Sequence, residues 1–362
     1  MIWLCCLMTL AAPSAYIEVY TAEGPTGEIF LTRAEAEEVR ARIEIDAEAR
    51  ATADGLIASA RNLAAAPLDI PRASGLWAHL YTCPVDGVRL EARLPEGHTC
   101  PVCGEVYRGD RYEGAWRSYR HKFWTAGVET LGWAYALNED PAFATRVREI
   151  LLEYAAFYEE LPQLGRDGKP SRSGGRIHAQ TLDEAMALVE ICVGYSLVRE
   201  APVFSNADRR TIRERLIRPM VRVIQPNNRG ISNWQSWHNA AVGCAGFLLG
   251  DGGMADWAIN GEHGFVYQME HAVKENGVWR EESMSYHWLA LRALVYLAEA
   301  ATRADVDLYA VPQVKMLFDA PLRHLFPDLT FPPLHNADRS SITEFRALYE
   351  VAYRRTGDAR YA

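Results

Sequence analysis

The stretch "ISNWQSWHNAAVG", Ile231 to Gly243, sets two tryptophans, two asparagines and a histidine ahead of a tail of small residues. Ser232 and Gln235 have the S-x-x-Q spacing of a capping box, which predicts a helix starting at Ser232. Asn233 then falls in the first turn, where unpaired backbone N–H groups and the positive end of the helix dipole favour an anion. Asn233 and Trp237 share one helix face, Trp234 and His238 another, and Gly243 and Gly246 allow a neighbouring helix to approach closely. Asn233 and His238 point about 140° apart on an ideal helix, so both reach one group only if Asn233 sits in an irregular first turn.

The chain around this stretch reads as helix almost throughout. Thr32 caps a long segment ended by Pro67, and residues 68–118 interrupt the pattern with Pro, Gly and Cys. Helical periodicity then predicts helices over 119–137, 142–161, 179–200, 206–224, 233–249, 254–275, 284–303, 311–325 and 340–356. The product is an all-α array of antiparallel hairpins. "NEDPAFATRV" opens one helix and the chain ends on the similar "RTGDARYA", so the sequence reads as stopping where a further helix begins.

A second stretch answers the first. In "ENGVWREESMSYHWLALRALVYLAEA", Gly277 closes a turn, Glu281 and Glu282 precede a serine cap, and Tyr286-His287 open another amphipathic helix. Two hairpins thus present an aromatic-plus-histidine group near a helix N-terminus, and such ends share a rim in a hairpin array.

Composition bounds the partners. The chain has 362 residues, 49% of them hydrophobic, and a net charge of -9 with acids and bases interspersed. No concentrated basic patch marks a nucleic-acid binder, while a few arginines in one cleft could still hold an anionic ligand. Ten tryptophans and seventeen tyrosines suit a core and equally the lining of a sugar groove. The apolar run Ile2–Ala12 is too short for a membrane span, and small residues through Ala15 follow it as in a signal peptide, although no Lys or Arg precedes it. It predicts secretion or a periplasmic location, with no membrane span in the mature chain.

Cys5 and Cys6 lie in that run, and Cys192 and Cys244 in apolar helical patterns as small buried hydrophobes. "CPVDG" at Cys83 and "CPVCG" at Cys100 are two copies of one knuckle. Paired knuckles mark a zinc-ribbon-like insertion, residues 76–118, that holds a structural ion between four ligands. Cys83, Cys100 and Cys103 supply three. Asp86 is the fourth by pattern, with His98 and then His79 as competitors, and a disulfide with a spare thiol as the metal-free reading.

The order N-W-x-x-W-H-N-A-A, then N-G-V-W-x-E-x-S-x-S-Y-H, then "FPDLTFPPLHNAD" resembles heparinase II/III-type polysaccharide lyases and their alginate-lyase relatives. "HTCPVCGEVYRGDRYEGAWR" and "GGRIHAQTLDEA" add to the likeness, which covers roughly residues 75–362. The resemblance implies an (α/α) toroid over 119–362 preceded by a helical segment over 16–75, and a C-terminal β-sheet domain that this chain does not contain. It implies β-elimination at a uronic acid in an anionic polysaccharide, with no organic cofactor. By matching position, Asn233 or His238 neutralises the uronate carboxylate and Tyr286 carries the proton. Gln180, Arg280 and His287 become substrate contacts, with Trp234 or Trp237 as a sugar platform. Relatives carry an adjacent Asn-His pair where this chain has His238-Asn239, which leaves Asn233 and Asn239 both open as the functional amide. The competing classes are a glycoside hydrolase, which needs paired carboxylates drawn from Asp183, Glu184, Glu281 and Glu282, and a non-catalytic carbohydrate-binding protein.

Overall fold

The computed structural model describes residues 16–19, 28–335 and 337–362. The signal-like run with Cys5 and Cys6 lies outside them. Helices α1 (Arg33–Ile45) and α2 (Ala47–Ala65) lead into a small antiparallel sheet of β1 (Glu91–Arg93), β2 (Gly97–Thr99) and β3 (Val106–Tyr107), in that spatial order. Then follow α3 (Asp110–Asn138), α4 (Pro141–Phe157), α5 (Thr181–Val198) and α6 (Asn206–Ile212), which runs through a π-helical turn (Arg213–Ile217) into α7 (Arg218–Ile224). Helices α8 (Asn233–Leu249), α9 (Gly252–Asn260), α10 (Phe265–Ala272), α11 (Met284–Thr302), α12 (Pro312–Leu322) and α13 (Arg346–Thr356) complete the described chain.

The row α3, α5, α8, α11 packs each helix on the next. Between them in sequence come α4, α6–α7 and α9, which pack outside that row, so the chain alternates inner and outer helices as an (α/α) toroid does. Composition explains which helices are inner. Every residue of α8 except Trp234 is buried, and a helix apolar all round belongs in the interior. Helices α3 and α5 meet backbone to backbone: a Cβ on Gly132 would lie 2.6 Å from the Gly194 Cα, so both positions exclude any side chain. The core runs continuously through the row, from Trp124 on α3 through Leu188 on α5 and Phe247 on α8 to Leu291 on α11.

Some boundaries differ from the sequence reading. The long N-terminal helix divides at Asp46, whose carboxylate accepts from Glu48 N and Ala49 N and starts α2 anew. Thr32 does cap α1, with Glu35 closing the box. Helix α3 begins at Asp110, inside the span assigned to the cysteine-rich insertion, and the expected helix 254–275 divides between α9 and α10 at Gly261–Gly264.

Glu184, fully buried on α5, accepts from Tyr158 Oη (2.5 Å) and His178 N (3.1 Å) and pins the loop ahead of the helix. Burial pushes its carboxyl up to about 7. The folded state therefore keeps a proton that the unfolded chain loses near pH 4.3, so this contribution to stability is present below about pH 4.3 and lost as pH rises through 7. Glu184→Gln cannot titrate. Relative to wild type it should gain on the order of 3 kcal/mol between about pH 4.5 and 8. Denaturant unfolding at both pH values checks this, and a constant gap contradicts it.

Candidate functional site

The heads of α5, α8 and α11 meet at one rim. Ser232, in extended conformation, caps α8 by accepting from Gln235 N at 3.3 Å. The reciprocal half of the predicted capping box is missing. The Gln235 side chain instead accepts from Arg229 N (2.8 Å) and donates to Asn239 Oδ1 (2.9 Å). Asn233 is the first helical residue, and the anion its position invites comes from the chain itself. Glu281 Oε2 accepts from the Asn233 backbone N–H at 2.9 Å, and the Asn233 side-chain amide reaches both Glu281 oxygens at 2.9 Å. Glu281 and Glu282 do lie ahead of the Ser283 cap of α11. Glu281 turns back onto α8, and Glu282, at φ 59°, pairs with Lys274.

Beside Asn233 a ladder of aromatic and cationic groups lines the rim. The Arg166 guanidinium lies 4.9 Å from the centre of the Trp77 ring and 5.5 Å from that of Trp234, and Arg229 lies 4.8 Å from the Trp234 ring. Arg166 donates twice to Gln180 Oε1, at 2.8 and 2.6 Å, which fixes its plane. Neither arginine has a carboxylate partner among the described residues, and Arg229 Nε is buried without any acceptor. Burial, and then the charge of Arg166, depress the Arg229 pKa, the mark of two cations held close together. Arg280 is exposed, and neither its guanidinium nor the hydroxyl of half-buried Tyr286 has a partner among the described residues.

Several residues singled out from the sequence lie elsewhere. Trp237 is only 2% exposed and packs on Tyr296, so it is core and not a sugar platform. Asn239 is fully buried with its amide spent on Gln235 and His263 O. His287 accepts from Trp279 N at Nδ1 (3.1 Å) and donates from Nε2 to Leu317 O (2.9 Å), leaving no ring atom for a substrate. His238 is fully buried with Nδ1 on Asn227 O (2.9 Å), and burial lowers its pKa to about 4, as it does for His287. Asn233 turns toward Glu281 ahead of α11 and His238 Nδ1 toward the Asn227 turn, while His238 Nε2 is buried with no hydrogen-bond partner among the described residues. Sequence reading passed over Trp77, Arg166 and Arg229, which stand in irregular loops where no periodicity flags them.

A separate cavity of about 260 Å³ opens between α3 and α5, lined by His79, Lys122, His178, Asp183 and Glu190 among others. Burial raises the pKa of Asp183, and pushes that of Glu190 up to about 7.

The two cysteine knuckles fold alike. Gly87 N donates to Cys83 O and Gly104 N to Cys100 O, and both glycines have positive φ, 69° and 78°, where a side chain would be strained. One ligand atom each from Cys83, Asp86, Cys100 and Cys103 lies within 4.8 Å of all the others. His98 faces away. It is buried, with Nδ1 2.7 Å from Tyr81 Oη and Nε2 3.2 Å from Glu113. His79 lines the α3–α5 cavity instead.

The geometry is that of a helical-toroid protein with a cationic, aromatic rim at the heads of its inner helices. The sequence profile of the alginate lyase family matches residues 100–320, and the chain belongs to that family. It is 30% identical over 289 residues to an alginate lyase of Stenotrophomonas maltophilia, covering 75% of this chain and 37% of that protein. It is 24% identical to an exo-oligoalginate lyase of Saccharophagus degradans, covering 66% of this chain and 33% of that protein. The chain thus spans about a third of the length of these curated relatives. An alginate lyase of Bacteroides ovatus has the same fold, with TM-score 0.64 at 13% identity over 93% of this chain and 94% of that one. No helix of the described residues is long and apolar enough to cross a membrane.

The core and rim tryptophans separate by measurement. Trp237→Ala should cost about 3–5 kcal/mol of unfolding free energy, and Trp234→Ala less than about 1 kcal/mol. Equal costs would contradict their placement.

Proposed function

We propose that this chain is the helical catalytic part of a secreted or periplasmic lyase that cleaves an anionic uronate polysaccharide, of the alginate type, by β-elimination. The observation that carries the reading is the rim itself. Cationic Arg166 and Arg229 lack carboxylate partners, flank a half-exposed indole and lie beside an asparagine amide at a helix N-terminus. A polyanion of sugar rings supplies what each group lacks: carboxylates for the guanidinium groups and apolar sugar faces for Trp77 and Trp234.

In the reaction, removal of the C5 proton leaves its electron pair to form the C4–C5 double bond as the C4–oxygen bond breaks. The leaving oxygen takes up a proton. The uronate carboxylate, where negative charge grows as the proton departs, is neutralised by the Asn233 amide, through the N–H that Glu281 leaves free, or by His238, whose Nε2 has no partner among the described residues. Tyr286 takes the C5 proton and delivers one to the leaving oxygen. Gln180 acts through Arg166, and exposed Arg280 guides the polyanion. Buried His287, with both ring nitrogens spent, holds the turn behind the rim.

Incubation of the protein with uronate polymers should yield the ultraviolet absorbance of an unsaturated uronate. Tyr286→Phe should lower kcat by roughly 10²–10⁴-fold with KM nearly unchanged, and Arg166→Ala with Arg229→Ala should raise KM about tenfold or more. Reducing ends released without that absorbance would favour a hydrolase working at the Asp183–Glu190 cavity.

We infer further that Cys83, Asp86, Cys100 and Cys103 hold a structural zinc. A donor set of thiolates and one carboxylate, gathered on matched turns, fits tetrahedral zinc and leaves no ligand position for a reacting water. Metal analysis should find about one zinc per chain, and Cys100→Ser should lower both zinc content and folded yield. Metal-free wild type with an unchanged melting temperature contradicts this.

A further inference from the structure

We infer that Glu281 is the positioning residue of the rim: its carboxylate sets which way the Asn233 amide faces at the head of α8. Its kinetic consequence rests on the lyase reading, and its structural consequence does not. Glu281 accepts four contacts from three donor groups: the Asn233 backbone N–H, the Asn233 side-chain nitrogen through both carboxylate oxygens, and the Trp279 indole N–H at 2.8 Å. An ionised carboxylate has no hydrogen to give, so the amide can meet it only through nitrogen.

The consequence for Asn233 is specific. Its nitrogen lies 2.9 Å from each carboxylate oxygen, a geometry in which one N–H points between the two. The second N–H of the same nitrogen remains for another acceptor, and Oδ1 is buried with no partner. Asn233 is only 2% exposed, so the protein contacts around the amide, Glu281 first among them, set its orientation. Glu281 stands 48 residues downstream, in the turn ahead of α11. It therefore also ties the head of α8 to the turn ahead of α11, the helix whose first turn carries Tyr286.

A carboxylate serving only as a distant helix cap would satisfy the backbone N–H of α8 and leave the side-chain amide alone. Here the side-chain amide takes two of the four contacts. Glu281→Gln keeps the shape but adds a donor, which lets the Asn233 amide turn over so that Oδ1 accepts from the new carboxamide. Glu281→Ala removes the constraint altogether.

The test reads the Asn233 side-chain NH2 pair by ¹⁵N-edited NMR of the full chain, assigned through its loss in Asn233→Ala. In the wild type the pair should be resolved, with one proton protected from solvent exchange. Glu281→Ala should shift the pair and raise its exchange at least about tenfold, and Glu281→Gln should shift it while keeping protection. An unmoved pair in Glu281→Ala overturns the inference whether or not the protein is a lyase. For the kinetics, Glu281→Ala should lower kcat roughly 10–100-fold with KM changed less than about threefold, and Asn233→Ala/Glu281→Ala should match Asn233→Ala alone. Additive losses in the double variant would show that Glu281 does not act through Asn233. A wild type that binds and cleaves no uronate polymer removes the lyase reading, while the NMR result still decides the role of Glu281.

Discussion

The carboxylate of Glu281 on the first turn of α8 is the contact on which the arrangement of the rim depends. Helix α8 is buried except at Trp234, and the unpaired N–H groups of its first turn would be a cost without an acceptor. Glu281 supplies that acceptor from the next inner hairpin. In doing so it ties the heads of α8 and α11, orients the Asn233 amide and leaves Trp234 as the residue of α8 that faces outward. One ion at a helix end thus performs a capping role, a packing role and an orienting role together.

Around that contact the charges are out of balance in a useful sense. Arg166 and Arg229 share the faces of one indole with no carboxylate between them. Arg229 bears a depressed pKa because burial and a neighbouring cation both disfavour its charge. An anionic ligand relieves both. The cysteine knuckle connects to the same feature, because the chain passes from Trp77 on the ladder through the short turn Ala78–Leu80 to Cys83. Metal at the knuckle would thereby anchor one end of the ladder, and the toroid the other.

Much of this was legible in the sequence. The helices of the toroid follow from 3.6-residue periodicity, and the two C-P-V-x-G copies do form matching turns with left-handed glycines. The helix start at Ser232 and the placement of Asn233 in the first turn also follow from local chemistry. What sequence could not supply was direction. His238, Asn239, Trp237 and His287 carry reactive or sugar-binding side chains, yet each is turned inward by neighbours distant in the chain, such as Leu317 O for His287 and His263 O for Asn239. Trp77, Arg166 and Arg229 stand in loops, where position is set by tertiary contacts and leaves no periodic trace. Glu281 reads as an acidic helix start because it precedes one; only the fold reveals that it serves the helix before.

Uronate elimination is proposed at the rim that carries Asn233, Tyr286 and the arginine ladder. A crystal structure of Tyr286→Phe with a bound uronate oligosaccharide tests it most directly. The account predicts one uronate carboxylate within hydrogen-bond distance of the Asn233 side-chain nitrogen, a sugar ring stacked on Trp234, and the residue-286 ring against C5 and the scissile oxygen. An oligosaccharide seated instead in the cavity between α3 and α5, against Lys122 and Asp183, with the rim empty, would contradict it.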